Sequence, residues 1–436
     1  LAKGGDVKKA MAELFGKTTG CSRGRGGSMH LFDDEAGVVC SVPVVGASIA
    51  MGVGIALSTR IKQEGKVTIS FFGDGAVEEG IFWESLNFAS VFNLPIVFVC
   101  ENNFYATHSP ILKRQPSEII FTSGGTEADN MILRCAVRDL GVETIITSKI
   151  EHHAVLHTVE ELEKEYRINV WYVDLDEFGS PDMEHLEELL KKDDTKKLVS
   201  LMHVNNEIGN ITDIKAVGEL CKANNALFHS DTVQSIGHYP WDVQEVHVDF
   251  MTAAAHKFHG PKGVGFAFIR KNSGLKPLIV GGSQERGFRA GTEPFHNIVG
   301  LEEAFVKAYE HLDEETAAVK ELKKYFVDKV LKEVPGAQCN GLSGDLEKST
   351  YTLANIRLPF DKQKGLMLLF HLDMKGIACS KGSACQSGSN QGSHVLNEIL
   401  EGAELDKPSL RFSFSMYNTK KELDYTVEIL KEFANS

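Results

Sequence analysis

A lysine and an aspartate, each at the end of an apolar segment, have the residue types and spacing for covalent cofactor chemistry. Lys257 follows the apolar segment 248–251 and lies in a turn of small residues, 253–263, that also contains His256. A neighbouring cation and partial burial lower the pKa of a lysine amine, as Schiff-base chemistry requires. Asp231 ends the preceding apolar segment, where a carboxylate can keep a pyridine nitrogen protonated. The pair predicts a site for pyridoxal phosphate (PLP); a solvated surface lysine is the competing interpretation.

A phosphate-binding turn is predicted about 130 residues before this lysine. Gly125 and Thr126 follow a strand-like segment and precede the helical pattern 127–137. Main-chain amides at a helix N-terminus, together with a hydroxyl, bind phosphate groups. Combined with Lys257, this turn is expected to hold the phosphate of PLP.

Cys385 is the candidate nucleophile. It lies in a run rich in glycine and serine, 380–393, whose composition does not build a packed core. Free cysteines are usually buried and inert, so a cysteine in a polar segment favours a reactive role. Cys379 is nearby, and the other six cysteines lie mostly in apolar contexts without paired metal-ligand spacing.

From about residue 118 to the C-terminus, the chain resembles the cysteine desulfurases of the class-V aminotransferase group. The segments that carry this resemblance are 119–127, 151–155, 203–209, 285–292 and 379–389. The resemblance implies L-cysteine as the substrate, PLP as the cofactor and a homodimer as the assembly. It also implies a sulfur-acceptor or scaffold protein as a partner, for example in iron-sulfur cluster assembly.

The same resemblance gives roles to individual residues. Lys257 carries the cofactor, His152 stacks on its ring and transfers protons, and Cys385 accepts the sulfur as a persulfide. Arg411 clamps the α-carboxylate of the substrate, a planar task that suits guanidinium, and Asn206 contacts both cofactor and substrate. The remaining cofactor-binding positions are Gly125, Thr126, Asp231, Gln234, His256 and Thr292. From the residues alone, His152 is equally well a core histidine and Arg411 an edge-strand charge.

Two further positions follow from the family pattern. Thr292 is expected to reach the PLP phosphate of the neighbouring subunit. Ala254 stands where the family usually has a serine that binds the phosphate. Losing that hydroxyl donor costs roughly 1 kcal/mol or somewhat more, so PLP is expected to bind less tightly.

The first 116 residues follow a different pattern. Two strand-like segments separated by a helical one predict a βαβ unit within 67–103, with Asp74 and Asn103 side by side at the strand ends. Together with a carbonyl near Tyr105, they are hard oxygen ligands for an Mg²⁺ ion that holds a diphosphate. Alternatively, Asp74 is the N-cap of a helix that begins at Ala76.

Residues 1–116 resemble the alpha subunit of thiamine-diphosphate-dependent 2-oxoacid dehydrogenases, at 24–31, 45–47 and 102–105. This implies thiamine diphosphate and Mg²⁺ as further cofactors. The family's upstream Tyr-Arg element and the rest of the subunit are missing, so this segment is expected to add nothing to catalysis. The chain is therefore expected to join two truncated enzymes, whether by natural fusion, assembly error or deliberate splicing.

Composition narrows the class of protein. The chain has 436 residues and a net charge of −14, which argues against a nucleic-acid partner. The absence of a long apolar run and of a signal peptide predicts a cytoplasmic protein without a membrane partner. Strand-like segments alternate with amphipathic helical segments, such as 183–192 and 214–223, and this alternation predicts an α/β fold. We expect a PLP-transferase-like large domain with a mainly parallel sheet (117–300), a smaller α+β C-terminal domain (301–436) and a partial thiamine-diphosphate-binding α/β segment (1–116).

Other functions remain open at this level. An aminotransferase or a selenocysteine-type lyase would use the same scaffold and leave the thiol of Cys385 untouched. A thiamine-diphosphate-dependent dehydrogenase subunit would instead release CO₂ from a 2-oxoacid. A folded but inactive hybrid of the two enzymes is the third possibility.

Overall fold

The computed structural model describes residues 3–102, 105–106, 109–110, 118–381 and 392–435. The chain divides into two compact units, Leu1–Ser117 and Glu118–Ser436. Two residues predicted from the sequence, Asn103 and Cys385, lie outside the described residues. Within the described portion, no helix combines the length and the apolar composition that crossing a bilayer demands.

The first unit contains a parallel βαβ unit. The helices of this first compact unit are α1 (Val7–Leu14), α2 (Ala47–Ile61) and α3 (Gly80–Val91). Its strands are β1 (Thr68–Gly73), β2 (Ile96–Glu101), β3 (Tyr105–Ala106) and β4 (Ser109–Pro110), and the βαβ unit consists of β1, α3 and β2. Strands β1 and β2 pair in parallel from Thr68 opposite Ile96 to Gly73 opposite Glu101, and buried Ile49, Phe72 and Phe82 pack together beside them. The predicted βαβ unit is confirmed.

The expected cap at Asp74 is wrong. Asp74 is the first residue of a 3-10 helix, Asp74–Glu78, and the α-helix begins only at Gly80. The residue at the N-cap position of α3 is Glu79, whose side chain makes no capping hydrogen bond. The acidic position after β1 therefore starts a tighter turn, which separates the strand from its crossover helix.

The second unit is built around a seven-stranded sheet. Its strands are β5 (Ile119–Thr122), β6 (Thr144–Thr147), β7 (Asn169–Tyr172), β8 (Lys197–Ser200), β9 (Leu227–Asp231), β10 (Phe250–Ala254) and β11 (Gly265–Ile269), in the spatial order β5-β11-β10-β9-β8-β6-β7. Strand β11 is antiparallel to both of its neighbours, and the other pairs are parallel. The uniformly buried β6, β8, β10 and β11 are consistent with a sheet covered on both faces.

Helices cover this sheet on both faces. They are α4 (Gly125–Leu140), α5 (His153–Tyr166), α6 (Met183–Lys191), α7 (Ile214–Ala223) and α8 (Phe295–Glu310). Asp182 and Asp213 cap α6 and α7 by accepting amide hydrogens of the first turn, which explains why these helices begin where they do. Two buried apolar clusters, one containing Phe228 and the other Phe250, fill the layers.

A smaller antiparallel sheet follows in the C-terminal part. It contains β12 (Gln338–Cys339), β13 (Leu353–Arg357) and β14 (Ser409–Ser413), with helices α9 (Leu312–Glu333), α10 (Lys362–Met374), α11 (His394–Ile399) and α12 (Lys420–Asn435). Phe326 of α9 packs against Phe412 of β14, with 4.8 Å between the ring centroids. The predicted class, an α/β fold with a mainly parallel large sheet and a smaller α+β part, is confirmed.

Candidate active site

The predicted aspartate and lysine lie at the carboxyl ends of adjacent parallel strands. Asp231 is the last residue of β9, opposite Thr252 of β10, and Lys257 ends the 3-10 turn that follows β10. Asp231 is buried, and its Oδ1 accepts the amide hydrogen of Val233 at 2.9 Å. Burial, followed by repulsion from Asp129, raises the pKa of Asp231 to about 6. The partial burial expected of Lys257 is wrong, because this residue is exposed.

His152 lies within electrostatic reach of both residues. It is the N-cap of α5, and its Nδ1 accepts the amide hydrogen of Ala154 at 3.1 Å. Burial lowers the pKa of His152, the negative charge of Asp231 opposes that shift, and the positive charge of Lys257 reinforces it. Because Nδ1 is an acceptor, the proton of the neutral ring lies on Nε2. The structure thus brings His152, Asp231 and Lys257 together.

The predicted phosphate-binding turn lies beside the same strand ends. Helix α4 begins at Gly125, where a Cβ atom would come within 2.6 Å of Cγ2 of Val233, two residues after Asp231. Only glycine permits this close approach. The Cβ of buried Ala254 lies 3.9 Å from the same point. Thr126 is exposed in the first turn of α4. Ala254, the position where the family usually has serine, therefore adjoins the predicted phosphate-binding turn at Gly125, here called the phosphate cradle.

Thr292 is near this cradle in its own subunit. Arg289 forms an ion pair with Glu127 of α4 at 2.8 Å, and Glu285 accepts the amide hydrogen of Phe121 at 3.0 Å. These contacts hold the segment before Thr292 against β5 and α4. Ser123, Thr292 and eight other residues line a cavity of about 230 Å³. Whether Thr292 serves a neighbouring subunit stays a prediction.

The predicted substrate residues are also in contact. Arg411 of β14 donates through Nη1 to the main-chain carbonyl of Asn206 at 2.5 Å. The main chains of Arg411 and Ser380 exchange two hydrogen bonds, at 2.8 and 3.2 Å. Gln234, three residues beyond Asp231, is half-buried. Ser380 is five residues before Cys385, so the described chain leading to the candidate nucleophile is fixed to the candidate carboxylate-binding residue.

His256 precedes the lysine in the 3-10 turn and is exposed. Burial lowers its pKa, and the positive charges of Lys257 and Lys262 lower it further. The neutral ring is thereby favoured next to the lysine.

Several buried polar residues were not predicted from the sequence. Asp129 of α4 lies 3.5 Å from His229 of β9, between its Oδ1 and the ring Nε2, and both side chains are fully buried. Burial raises the pKa of Asp129 to about 7 and that of Glu151 to about 8. Glu207 is also buried. For two of these residues the sequence offered a signal, namely a charged residue directly beside a predicted site residue. Glu151 precedes His152, and Glu207 follows Asn206.

These residues fit PLP. Buried Asp231 is a suitable acceptor for a pyridine N–H, because among the described residues its side chain is hydrogen-bonded only through Oδ1, to the amide of Val233. The Gly125 turn offers the amides of an α-helix N-terminus at a place that a side chain would fill. The fit to PLP therefore rests on one buried acceptor, Asp231, and on the main-chain donors of the Gly125 turn.

The predicted Mg²⁺ ligands of the first unit are only partly described. Asp74 is half-buried at the start of its 3-10 helix. Asn103 lies outside the described residues, and for Tyr105 only the main chain, in β3, is described. Among the described residues, no group of three or more His, Cys, Asp or Glu side chains is arranged to hold a metal ion.

Family models match both parts of the chain. Residues 109–426 match the model described as Aminotransferase class-V, and residues 1–127 match the one described as Dehydrogenase E1 component. The two matches overlap around the boundary between the compact units, Ser117 and Glu118. The predicted change of pattern near residues 116–118 falls in this overlap.

Curated relatives and solved structures agree on the larger part. Cysteine desulfurase IscS of Dictyoglomus turgidum is 42% identical over 316 residues, covering 72% of this chain and 78% of the relative. Putative cysteine desulfurase IscS 1 of Bacillus subtilis is 43% identical over 311 residues, covering 70% and 79%.

Among solved structures, a NifS-like protein has a TM-score of 0.66 at 36% identity, covering 74% of this chain and 83% of its own. SspA in complex with cysteine has a TM-score of 0.59 at 31% identity, covering 70% and 83%. With the site geometry and a family match over most of its length, the chain belongs to the class-V aminotransferase family, among its cysteine desulfurases.

Proposed function

We propose that this chain is a PLP-dependent cysteine desulfurase that converts L-cysteine to L-alanine and leaves a persulfide on Cys385. The thiolate of Cys385 forms an S–S bond with the substrate sulfur while the C–S bond of the substrate breaks. The electron pair of that bond passes to the β-carbon, which takes up a proton and becomes the methyl group of alanine. PLP, when bound, supplies a protonated pyridine ring that withdraws electrons from the substrate α-carbon.

Each described residue has a defined task in this proposal. Asp231, as a carboxylate, holds the pyridine proton, and the α4 amides with Thr126 hold the phosphate. Lys257 retains the cofactor and moves the proton at the α-carbon. His152, with its proton on Nε2, faces the same charges and serves as a proton carrier. Asn206 and Gln234 offer neutral amides, and Arg411 binds the substrate carboxylate.

The observation that carries the proposal is the convergence of Asp231, Lys257 and His152 at the carboxyl ends of β9 and β10. In open α/β sheets, ligands bind at such strand ends. The raised pKa of Asp231, about 6, still leaves it ionised at neutral pH. An ionised carboxylate is therefore available to a cationic ring at this edge of the sheet.

The experiment is a single turnover with ³⁵S-labelled L-cysteine on the full chain reconstituted with PLP. We expect one equivalent of alanine and label on the peptide containing Cys385. Cys385→Ser should bind cysteine and give the same absorbance change but no labelled peptide, whereas Cys379→Ser is the matched control and should retain the label. Formation of a keto acid with an unlabelled thiol would instead establish an aminotransferase.

The partners are also proposals. SspA was solved in complex with cysteine, which supports the same substrate class here. We propose a homodimer, because Thr292 and Ser123 line a cavity at the phosphate end of the site where a second subunit would complete it. Light scattering tests this: a monomer with full activity would contradict it. The persulfide is then passed to a sulfur-acceptor protein.

The N-terminal match favours a second candidate activity, thiamine diphosphate binding. The supporting observation is the parallel β1–β2 pair with Asp74 directly after β1. Calorimetric titration with Mg²⁺ and thiamine diphosphate tests it. We propose that this binding, if measurable, takes no part in desulfuration.

A further inference from the structure

Glu207 is a buried carboxylate at a junction of the site. It follows Asn206, and it is completely buried. Its Oε2 accepts the hydroxyl hydrogen of Ser393 at 2.5 Å. Its Oε1 is buried without a hydrogen-bond partner among the described residues. Burying a carboxylate is costly unless a countercharge is nearby, so this second oxygen needs an explanation.

Among the described residues, the ion-pair partner of that oxygen is a histidine. Nδ1 of His394 lies 3.9 Å from Oε1 of Glu207 and is itself buried without a hydrogen-bond partner in the described part of the chain. The distance is within the range of an ion pair, although it is longer than a hydrogen bond. Two buried polar atoms that have no hydrogen-bond partner among the described residues therefore lie 3.9 Å apart.

The hydrogen bond made by the other ring nitrogen, Nε2, determines where His394 carries its protons. Nε2 of His394 lies 2.9 Å from the main-chain carbonyl of Glu151. A carbonyl only accepts, so Nε2 must carry a hydrogen. In a neutral ring Nδ1 would then present a lone pair to the carboxylate of Glu207, and the two would repel. A proton on Nδ1 removes this conflict and makes His394 the countercharge of Glu207.

Two neighbouring titratable side chains, those of His153 and Glu151, are neutral, so His394 is left as the countercharge of Glu207. The ring of His153 packs against it at 4.3 Å between centroids, and His157 stacks on His153 at 4.8 Å. Burial, followed by the charges of His394 and His157, lowers the pKa of His153 to about 4, so His153 is neutral. Burial raises the pKa of the Glu151 side chain to about 8, so that carboxyl is neutral too.

We propose that His394 and Glu207 form a buried ion pair that positions the chain on the C-terminal side of Cys385 for sulfur transfer. This inference rests on the proposed desulfurase function. The pair joins α11 to two segments that carry site residues: Glu207 adjoins Asn206, and Glu151 adjoins His152. Ser393 strengthens the junction, because the same hydroxyl that binds Glu207 also caps α11 by accepting the amide hydrogen of Leu396. The pair is a positioning device and touches no reacting atom.

Two substitutions of Glu207 separate charge from shape. Glu207→Gln keeps an oxygen for Ser393 and offers an N–H to a neutral Nδ1, so it replaces the ion pair by a neutral contact. Glu207→Leu removes both interactions and leaves Nδ1 facing apolar atoms. His394→Gln is a second disrupting variant, because its amide can reach the Glu151 carbonyl but cannot also face Glu207. It serves if Glu207→Leu does not fold.

The first measurement is ¹⁵N NMR of the histidine rings in the full chain at pH 7, with His394→Gln to assign the signal. We expect both ring nitrogens of His394 to be protonated in the wild type, and Nδ1 to become an acceptor in Glu207→Gln. An unprotonated Nδ1 in the wild type overturns the ion pair.

The second measurement is persulfide formation in a single turnover. We expect Glu207→Leu and His394→Gln to slow it by about tenfold or more, and Glu207→Gln by less than about threefold. PLP content and the absorbance change on adding cysteine should be unchanged in all three. Wild-type rates in both disrupting variants overturn the positioning role. Failure of the wild type to form persulfide contradicts the proposed function instead, and the NMR result still decides the ion pair.

Discussion

Arg411 donates through Nη1 to the main-chain carbonyl of Asn206, with 2.5 Å between the two atoms. Arg411 belongs to the small antiparallel sheet, whereas Asn206 lies in the turn after β8 of the large sheet. The hydrogen bond engages one nitrogen of the guanidinium, Nη1. The candidate carboxylate-binding residue is thereby fixed to a candidate cofactor-binding residue across the two sheets.

Replacing Arg411 with lysine should weaken substrate binding. Lysine keeps the positive charge but loses the planar pair of donors, so we expect the KM for L-cysteine to rise by about tenfold to a hundredfold. PLP content should not change. Arg357→Lys, on the adjacent strand β13, is the matched control and should leave KM unaltered. An unchanged KM in Arg411→Lys would remove the arginine from the substrate site.

Lys257 should be the residue that retains the cofactor. Reduction of the PLP-loaded chain with borohydride, followed by peptide mapping, should find the cofactor on the peptide that contains Lys257. Lys257→Ala should not retain PLP through the same treatment, although its circular dichroism should match the wild type because the side chain is exposed. Lys262→Ala, in the same turn, is the control. Cofactor on another lysine would show that the assignment is wrong.

Restoring a hydroxyl at Ala254 should tighten PLP binding. The Ala254 Cβ lies 3.9 Å from the point that a Gly125 side chain would occupy, next to the phosphate cradle. Regaining the hydroxyl donor contributes roughly 1 kcal/mol or somewhat more, so Ala254→Ser should lower the PLP dissociation constant by about fivefold or more. Ala253→Ser, on the other face of β10, should not lower it. Equal affinities for Ala254→Ser and the wild type would place the phosphate elsewhere.

Asp129 should make the stability of the PLP-free chain depend on pH. Burial raises its pKa from 3.8 to about 7. Below about pH 4 this carboxyl is protonated in both the folded and the unfolded chain. As the pH rises from about 4 to about 7, the free energy of unfolding falls, by at most about 4 kcal/mol. Asp129→Asn should therefore melt at a higher temperature than the wild type at pH 8, with a difference that shrinks toward pH 5. A pH-independent difference for Asp129→Asn would mean that the carboxyl does not titrate in this window.

The N-terminal unit should take no part in desulfuration. Asp74→Ala removes the described candidate Mg²⁺ ligand, and we expect the rate of alanine release per folded protein to be unchanged. Tight, Mg²⁺-dependent binding of thiamine diphosphate by the wild type, lost in Asp74→Ala, would reveal a working half-site. Glu79→Ala, at the exposed N-cap of α3, controls for local destabilisation.

Local sequence predicted the main elements well. Helix α7 was expected at 214–223 and has those bounds, and α6 differs by one residue. The reason is local: amphipathic periodicity and the capping aspartates Asp182 and Asp213 act within one or two turns. Asp231 and Lys257 were also found from their strand ends. The N-cap expected at Asp74 failed, because a 3-10 turn precedes the α-helix there.

The sequence by itself determined the fold class, the two-part organisation and the residue types of the site, because periodicity, strand-end polarity and motif spacing are local properties. Only the tertiary structure decided the contacts between distant segments. The Glu207–His394 pair and the Asp129–His229 pair join residues 187 and 100 positions apart. Such buried pairs depend on which strands become neighbours and on how deeply each group is buried. No local sequence pattern encodes either the order of the strands or the depth of burial.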